Sequence, residues 1–267
     1  MNAKALRFHI PSSSQGKDER PGLSPSNGRF ILVLSALGMA LLVMLLLLAM
    51  AYRAQQRKST CSAYAQQVAE VSELLRQGKF VLATAQANIC LEHLRDLPCS
   101  EARAKLASLS YSATVGDILA APVEDQGHLA TLRWLEAERW ASANGVPDTE
   151  RISPMHIALQ ACNIGAFELA RTAFLKAWEG GIVTIHDRGA VGQYYVILSR
   201  WGHELAFGGS PEMREQGTRL LATSHALTVS YLLPYDEACA DLQALGYADC
   251  SQAVPDILDP VLAAVRR

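Results

Sequence analysis

The chain has 267 residues, half of them apolar, with 24 Lys and Arg against 26 Asp and Glu for a formal net charge of −2. That apolar share supports a packed core in addition to a membrane segment, and it excludes a wholly disordered scaffold. Residues 1–29 carry a net charge of +3 and the rest −5, so the larger part lacks the concentrated basic face that nucleic acid requires.

The first 28 residues include Pro11, Ser12, Ser13, Ser14, Gly16, Pro21, Gly22, Ser24, Pro25, Ser26 and Gly28, a composition that cannot bury enough apolar surface to order itself. Residues 1–29 are therefore expected to be a disordered cytoplasmic tail whose basic residues set topology. The stretch from Phe30 to Ala51 is 22 residues without a charge, and a helix of that length covers about 33 Å, one hydrocarbon core. Arg29 precedes it, and Tyr52 and Arg53 follow it as interfacial anchors. Ala49-Met50-Ala51 has the small-x-small form of a signal-peptidase site, but signal peptides have apolar runs of only ~7–15 residues. A retained single-pass transmembrane helix over residues 30–52 is the expectation.

Orientation is tied on nearby charge: Lys17, Arg20 and Arg29 stand before the span and Arg53, Arg57 and Lys58 after it. All six cysteines (Cys61, Cys90, Cys99, Cys162, Cys239 and Cys250) lie after the span, which suits an oxidising compartment. This places the N-terminus in the cytoplasm and residues 53–267 outside it. In a bacterial cell that is an inner-membrane protein with a periplasmic domain.

From Ser59 onward apolar residues recur at helical spacing and no alternating strand pattern occurs. The pattern predicts helices over Ser59–Gln77, Lys79–Leu94, Ser100–Leu109 with Ser100 as cap, Asp125–Asn144, Ser153–Asn163, Ala166–Trp178, Ala190–Phe207, Ser210–Leu232 and Tyr235–Leu245, then one after Pro255. Ile182–Ile185 is expected to be an irregular connection, and the fold class to be all-α. In Asp125–Asn144 the apolar side is read as Leu129, Leu132, Trp134, Leu135 and Trp140. Trp134, Trp140, Trp178, Trp201, Tyr194 and Tyr195 read as core residues, with an aromatic binding groove as the sharper alternative.

Six cysteines allow fifteen pairings. The most local assignment joins Cys90 to Cys99 and Cys239 to Cys250 across interhelical turns, leaving Cys61 and Cys162 for each other or for an intermolecular bond.

Enzymatic signatures fail residue by residue. His203-Glu204 begins like HExxH, but Phe207 occupies the second ligand position. Gly208-Gly209-Ser210-Pro211-Glu212 departs from a nucleophile elbow at its last residue. No CxxC, Walker A or GxGxxG sequence is present. Glu136 and Glu138 stand two apart on one helix and cannot flank a single bond. His186-Asp187 reads as a helix cap. No catalytic residue, metal set or cofactor is expected.

One stretch, Gly165-x-Phe167-x-x-Ala170-x-x-x-Phe174-x-x-Ala177, resembles the second half of a tetratricopeptide repeat. Gly78-x-Phe80-x-x-Ala83 keeps the spacing, with Ala87 and Cys90 at the later positions. Trp201-Gly202-x-x-Leu205-x-x-Gly208, followed by Leu220-Leu221, is similar to a degenerate Sel1-like repeat, in which Ser210 and Gly217 stand where the repeat would have a glycine and an alanine. The Trp, Leu-Gly and Tyr of a first repeat helix are absent ahead of Gly165, where Pro154, Ile157, Ala158 and Ala161 stand. The resemblance implies a solenoid of helical hairpins whose concave surface binds protein partners; a compact all-α domain with one such hairpin is the alternative. With the anchor, the expected function is a non-catalytic periplasmic scaffold or assembly factor. The alternatives are an envelope enzyme acting on peptidoglycan and a single-pass signalling or regulatory protein. Ala36-x-x-x-Ala40 in the span permits a homo-oligomer.

Overall fold

The computed structural model describes residues 25–121 and 127–266, and among the described residues every regular element is helical. Helix α1, Pro25–Arg76, is a single helix of 52 residues. It starts ahead of the expected Phe30, and it does not break before the helix expected at Ser59. The intervening Arg53-Ala54-Gln55-Gln56-Arg57-Lys58 offers neither Gly, Pro nor a β-branched residue to interrupt it. The remainder of the expected disordered tail lies outside the described residues.

The chain divides into two compact units, residues 1–56 and 57–267. In the first, the residues from Leu37 to Met50 are exposed on all sides of the helix. Among the described residues this is the one helix long and apolar enough to cross a membrane, with a mean hydropathy of 2.1 over its best window.

Among the described residues the second unit holds the end of α1 and nine further α-helices: α2 (Phe80–His93), α3 (Ser100–Ala120), α4 (His128–Ala143), α5 (Pro154–Asn163), α6 (Phe167–Glu179), α7 (Arg188–Gly208), α8 (Pro211–Tyr231), α9 (Glu237–Ala244) and α10 (Pro260–Val265). The substantial packed pairs run in chain order: α2 on α3, α3 on α4, α5 on α6, α6 on α7, α7 on α8 and α8 on α9, with α4 also on α6 and α10 on α8. Tight glycine turns reverse the chain between α1 and α2 and between α5 and α6. Gly78 and Gly165 adopt φ of 70° and 80°, conformations open to glycine at little cost. The amides of Lys79 and Ala166 then bond back to the carbonyls of Leu74 and Ala161 at 2.9 Å, closing the ends of α1 and α5.

Three apolar clusters fill the unit. One joins the end of α1 with α2 and α3 through Val71, Ala83, Ala87 and Leu106. The largest runs from α3 to α8 and α10 around Trp134, Phe174 and Tyr194. The third, around Leu221, Ala238 and Leu242, seats α9. Each fully buried large side chain contributes about 2–3 kcal/mol of transfer free energy.

Two helices differ from expectation. Helix α3 continues to Ala120 instead of stopping near Leu109, because Tyr111, Val115 and Ile118 prolong its buried stripe. Gly116 inside it is a packing residue: a Cβ there would lie 2.5 Å from the Phe80 ring, so glycine lets α2 and α3 close. Ser100 is the first helical residue and Cys99 the N-cap position, so the expected Ser100 cap does not form. In α4 the buried stripe is Ala130, Trp134, Ala137, Glu138 and Ala141, while Leu129 and Leu132 face solvent at 57% and 42% exposure. The apolar face read from the sequence is thus rotated. Alanines pack here because neighbouring helices approach closely, and larger leucines fall outside the contact.

The expected cap at Asp187 forms, accepting from the amide of Ala190, and Ser210 caps α8 in the same way by accepting from the amide of Met213. The segment from Ile182 to Ile185 is irregular, as expected.

Candidate functional site

Glu138 follows Trp134 by four residues, so the helix places its carboxylate on the same buried stripe. A carboxylate only 7% exposed requires partners, and three elements supply them. The Tyr111 hydroxyl of α3 donates to Oε1, and the Lys176 ammonium of α6 donates to Oε2. Arg151 NH1 stands 3.9 Å from Oε2 while its Nε and NH2 donate to the Val146 carbonyl at 3.2 and 2.8 Å. The Lys176 ammonium also lies 5.0 Å from the centre of a Trp134 ring, within cation–π range. Burial, and then the bond to Glu138, hold the Tyr111 hydroxyl far above the ordinary tyrosine range. The cluster is a closed clamp joining α3, α4 and α6.

On the solvent side of this clamp a groove of about 230 Å³ opens between α2, α3 and α4. Tyr111, Ala137 and Trp140 form its apolar part, and Asn88, Arg133 and Glu136 its polar part. Arg133 is held by Asp117 at 2.6 Å and Asn88 accepts from Ser110 at 2.8 Å. Positioned polar groups beside a half-buried indole suit recognition of a peptide segment better than chemistry on a small molecule.

A second buried carboxylate, Asp259 at 1% exposure, docks the C-terminal helix. Its Oδ1 caps α10 by accepting from the amides of Val261 and Leu262 at 3.1 Å. Its Oδ2 accepts from Tyr194 at 2.5 Å and from Arg171 NH2 at 3.1 Å. Tyr194 stacks on Phe174 at 4.6 Å. Burial first, and the neighbouring Asp259 charge second, push the Tyr194 hydroxyl far upward.

His203 Nδ1 lies 3.0 Å from Asp241 Oδ2 in a groove shared with Ser199. Ser199 turns to the Tyr195 hydroxyl instead, so this arrangement lacks the nucleophile-to-base bond that Ser–His catalysis uses. The Phe207 ring lies 4.8 Å from that of His203, tilted by 39°, where a second zinc ligand would have stood. Glu136 is exposed and Glu138 buried, so the pair points to different faces.

The cysteine pairing differs from the local assignment. Cys61 is bonded to Cys99 and Cys239 to Cys250, each with a Cα separation of 5.5 Å. Cys90 and Cys162 are buried and free. Of the expected pairs only Cys239–Cys250 forms. Cys90 faces inward from α2 toward Gln67 of α1, its thiol 3.7 Å from the amide oxygen, whereas the long α1 carries Cys61 alongside the start of α3. Cys162 sits at the end of α5 in the central core. Burial raises both free thiols, with the Glu70 charge a second cause at Cys90.

The repeat-like positions lie at helix contacts. Ala170, Phe174 and Ala177 are fully buried in α6 with Phe167 half-buried, and Ala83 is fully buried in α2 beside half-buried Phe80. Gly78 and Gly165 make the preceding turns. Tyr194, Tyr195 and Trp134 are core residues, while Trp140, Trp178 and Trp201 are partly buried. Sequence reasoning missed Tyr111, Lys176, Arg171 and Asp259. A carboxylate on an alanine–tryptophan stripe and an Asp-Pro pair at a helix start were the available signals. No family model, curated protein or solved structure matches the chain.

Proposed function

We propose that the chain is a membrane-anchored protein-interaction scaffold or assembly factor, non-catalytic, whose helical-hairpin domain receives a partner peptide outside the cytoplasm. The observation that carries this reading is the packing of consecutive helices, α2 to α4 and α5 to α9, with glycine turns ahead of α2 and α6. Such stacking is the building rule of solenoids, whose extended surfaces recognise protein segments. The tetratricopeptide-like spacing from Gly165 to Ala177 supports it, because its alanines and Phe174 occupy fully buried contacts. The groove at Arg133, Glu136 and Trp140 offers an aromatic anchor between opposite charges.

The apolar stretch of α1 supports anchoring in an inner membrane. Two disulfides support a periplasmic, oxidising location for the domain. Reversing the groove charges together, Arg133→Glu with Glu136→Lys, is expected to convert the detergent-solubilised native complex into the free chain on a native gel. The same reversals at exposed Arg214 and Glu212 are expected to leave the complex intact. Unchanged migration of both variants would remove this groove from the account.

A further inference from the structure

We propose that Cys239, Cys250, His225 and Asp236 form a redox-gated metal site that binds Zn²⁺ when the Cys239–Cys250 bond is reduced. This inference is independent of the scaffold reading and of the compartment the domain faces. The donors converge from four separate segments: His225 from α8, Asp236 from the turn before α9, Cys239 from the first turn of α9 and Cys250 from the 3-10 turn that follows. Donor atoms of His225, Asp236 and Cys239 all lie within 4.8 Å of one another. The Cys250 sulfur stands outside that trio but is bonded directly to the Cys239 sulfur, one bond from a donor.

The surroundings already orient these groups. Asp236 Oδ1 accepts from the Cys239 amide at 3.1 Å, which caps α9 and leaves Oδ2 facing His225 Nδ1 at 2.7 Å. The His225 and Asp236 side chains are only 16% and 30% exposed. Two thiolates, one imidazole nitrogen and one carboxylate oxygen make the four-coordinate donor set that Zn²⁺ favours. Tetrahedral bonds of about 2.0–2.3 Å require neighbouring ligand atoms about 3.3–3.8 Å apart. The His225–Asp236 contact therefore opens by about half an ångström and the sulfurs separate once their bond is cut, both within reach of side-chain rotation.

The chemistry balances with a dithiol as reductant. The dithiol gives two electrons and two protons to the Cys239–Cys250 bond and closes into its own disulfide, leaving two protein thiols. Zn²⁺ then displaces the two thiol protons to solvent. The His225 ring keeps its single proton by shifting it to the nitrogen away from the metal. In the oxidised chain the sulfurs are bonded to each other and the site does not bind. Disulfide and metal thus alternate as the cross-link that fastens the end of α9 and the 3-10 turn.

The test uses the full chain in detergent, oxidised or treated with a dithiol under nitrogen and then freed of it, titrated with Co²⁺ as the optical probe and Zn²⁺ as competitor. The reduced chain is expected to bind one Co²⁺ with sulfur-to-cobalt charge-transfer absorption and tetrahedral visible bands, which Zn²⁺ removes, while the oxidised chain gives neither. Cys250→Ser is expected to abolish the charge-transfer signal at this site, and His225→Ala to weaken binding at least tenfold. Cys61→Ser with Cys99→Ser is expected to leave the signal unchanged, which assigns it to this site and not to the other reduced pair. Circular dichroism verifies that each reduced variant stays helical. The proposal is overturned if the reduced chain shows no thiolate–cobalt absorption, if Cys250→Ser or His225→Ala binds as the parent does, or if reduction unfolds the domain and Zn²⁺ fails to restore it.

Discussion

Gly202 of α7 and Gly217 of α8 meet backbone to backbone. A Cβ at Gly217 would stand 2.7 Å from the Gly202 carbonyl oxygen and 2.5 Å from the Ala206 amide nitrogen. Neither obstacle is a movable side-chain end, so the crossing of the two helices is set by the absence of both side chains. The contact supplies a physical reason for glycine at both positions.

Gly217→Ala is accordingly expected to cost about 1–3 kcal/mol, as overpacked cores do, read as a lower denaturant midpoint with an unchanged slope. Gly208→Ala, at a position with nothing near its missing Cβ, is expected to be neutral or slightly stabilising through helix propensity. Equal effects of the two substitutions would contradict the tight crossing.

The cysteine arrangement predicts a thiol count. Iodoacetamide with intact mass is expected to find two reactive thiols, Cys90 and Cys162, in the unfolded, non-reduced chain, and six after reduction. In the folded chain both are expected to react slowly, because burial raises each thiol above its ordinary value. Peptide mapping is expected to recover Cys61 linked to Cys99; a Cys90–Cys99 peptide would refute the pairing.

Asp259 is predicted to be the most sensitive C-terminal position. Asp259→Ala removes the α10 cap and leaves Arg171 without its 3.1 Å partner, a loss expected to cost about 3–5 kcal/mol for a broken buried pair. Amide exchange is expected to accelerate in α10 and in the adjoining turns of α6 and α7. A cost confined to fraying of α10 would mean that the Arg171–Asp259 pair does little beyond capping.

Tyr194 gives a pH dependence with a definite sign. Its folded hydroxyl titrates far above the unfolded value of about 10. Its stabilising contribution is therefore complete below about pH 10 and is lost as pH rises from there toward the folded value. Above pH 10, wild-type stability is expected to fall about 1.4 kcal/mol per pH unit faster than that of Tyr194→Phe. Parallel denaturation curves from pH 9 to about 11.5 would contradict a buried, protonated Tyr194.

How much the sequence disclosed depends on the interaction concerned. Helix periodicity, glycine turns and Asp caps are local, and the helices from α5 to α9 fall within a few residues of expectation. The extent of α3 was not legible, because what its second half packs on, Gly116 against Phe80 of α2 among the contacts, is tertiary. Leu129 and Leu132 drew the apolar face of α4 toward solvent, since hydrophobicity alone does not reveal that the close contacts there accept only alanine. Cysteine pairing failed for the same reason: Cys61 and Cys99 are 38 residues apart and are united only by tertiary packing. The Glu138 clamp and the groove beside it are assembled from separate helices, and a motif search has no local pattern to find there.

The central claim, an anchored module that holds a protein partner in one groove, is tested most directly by site-specific photo-cross-linking in the native cell. A benzophenone side chain in place of Trp140 is expected to give one discrete heavier species in the membrane fraction, lost when Arg133→Glu is added, while the same probe at exposed Gln243 on α9 gives none. No adduct at Trp140, or adducts of equal yield at both positions, would contradict a partner-binding groove and return the domain to a purely structural role.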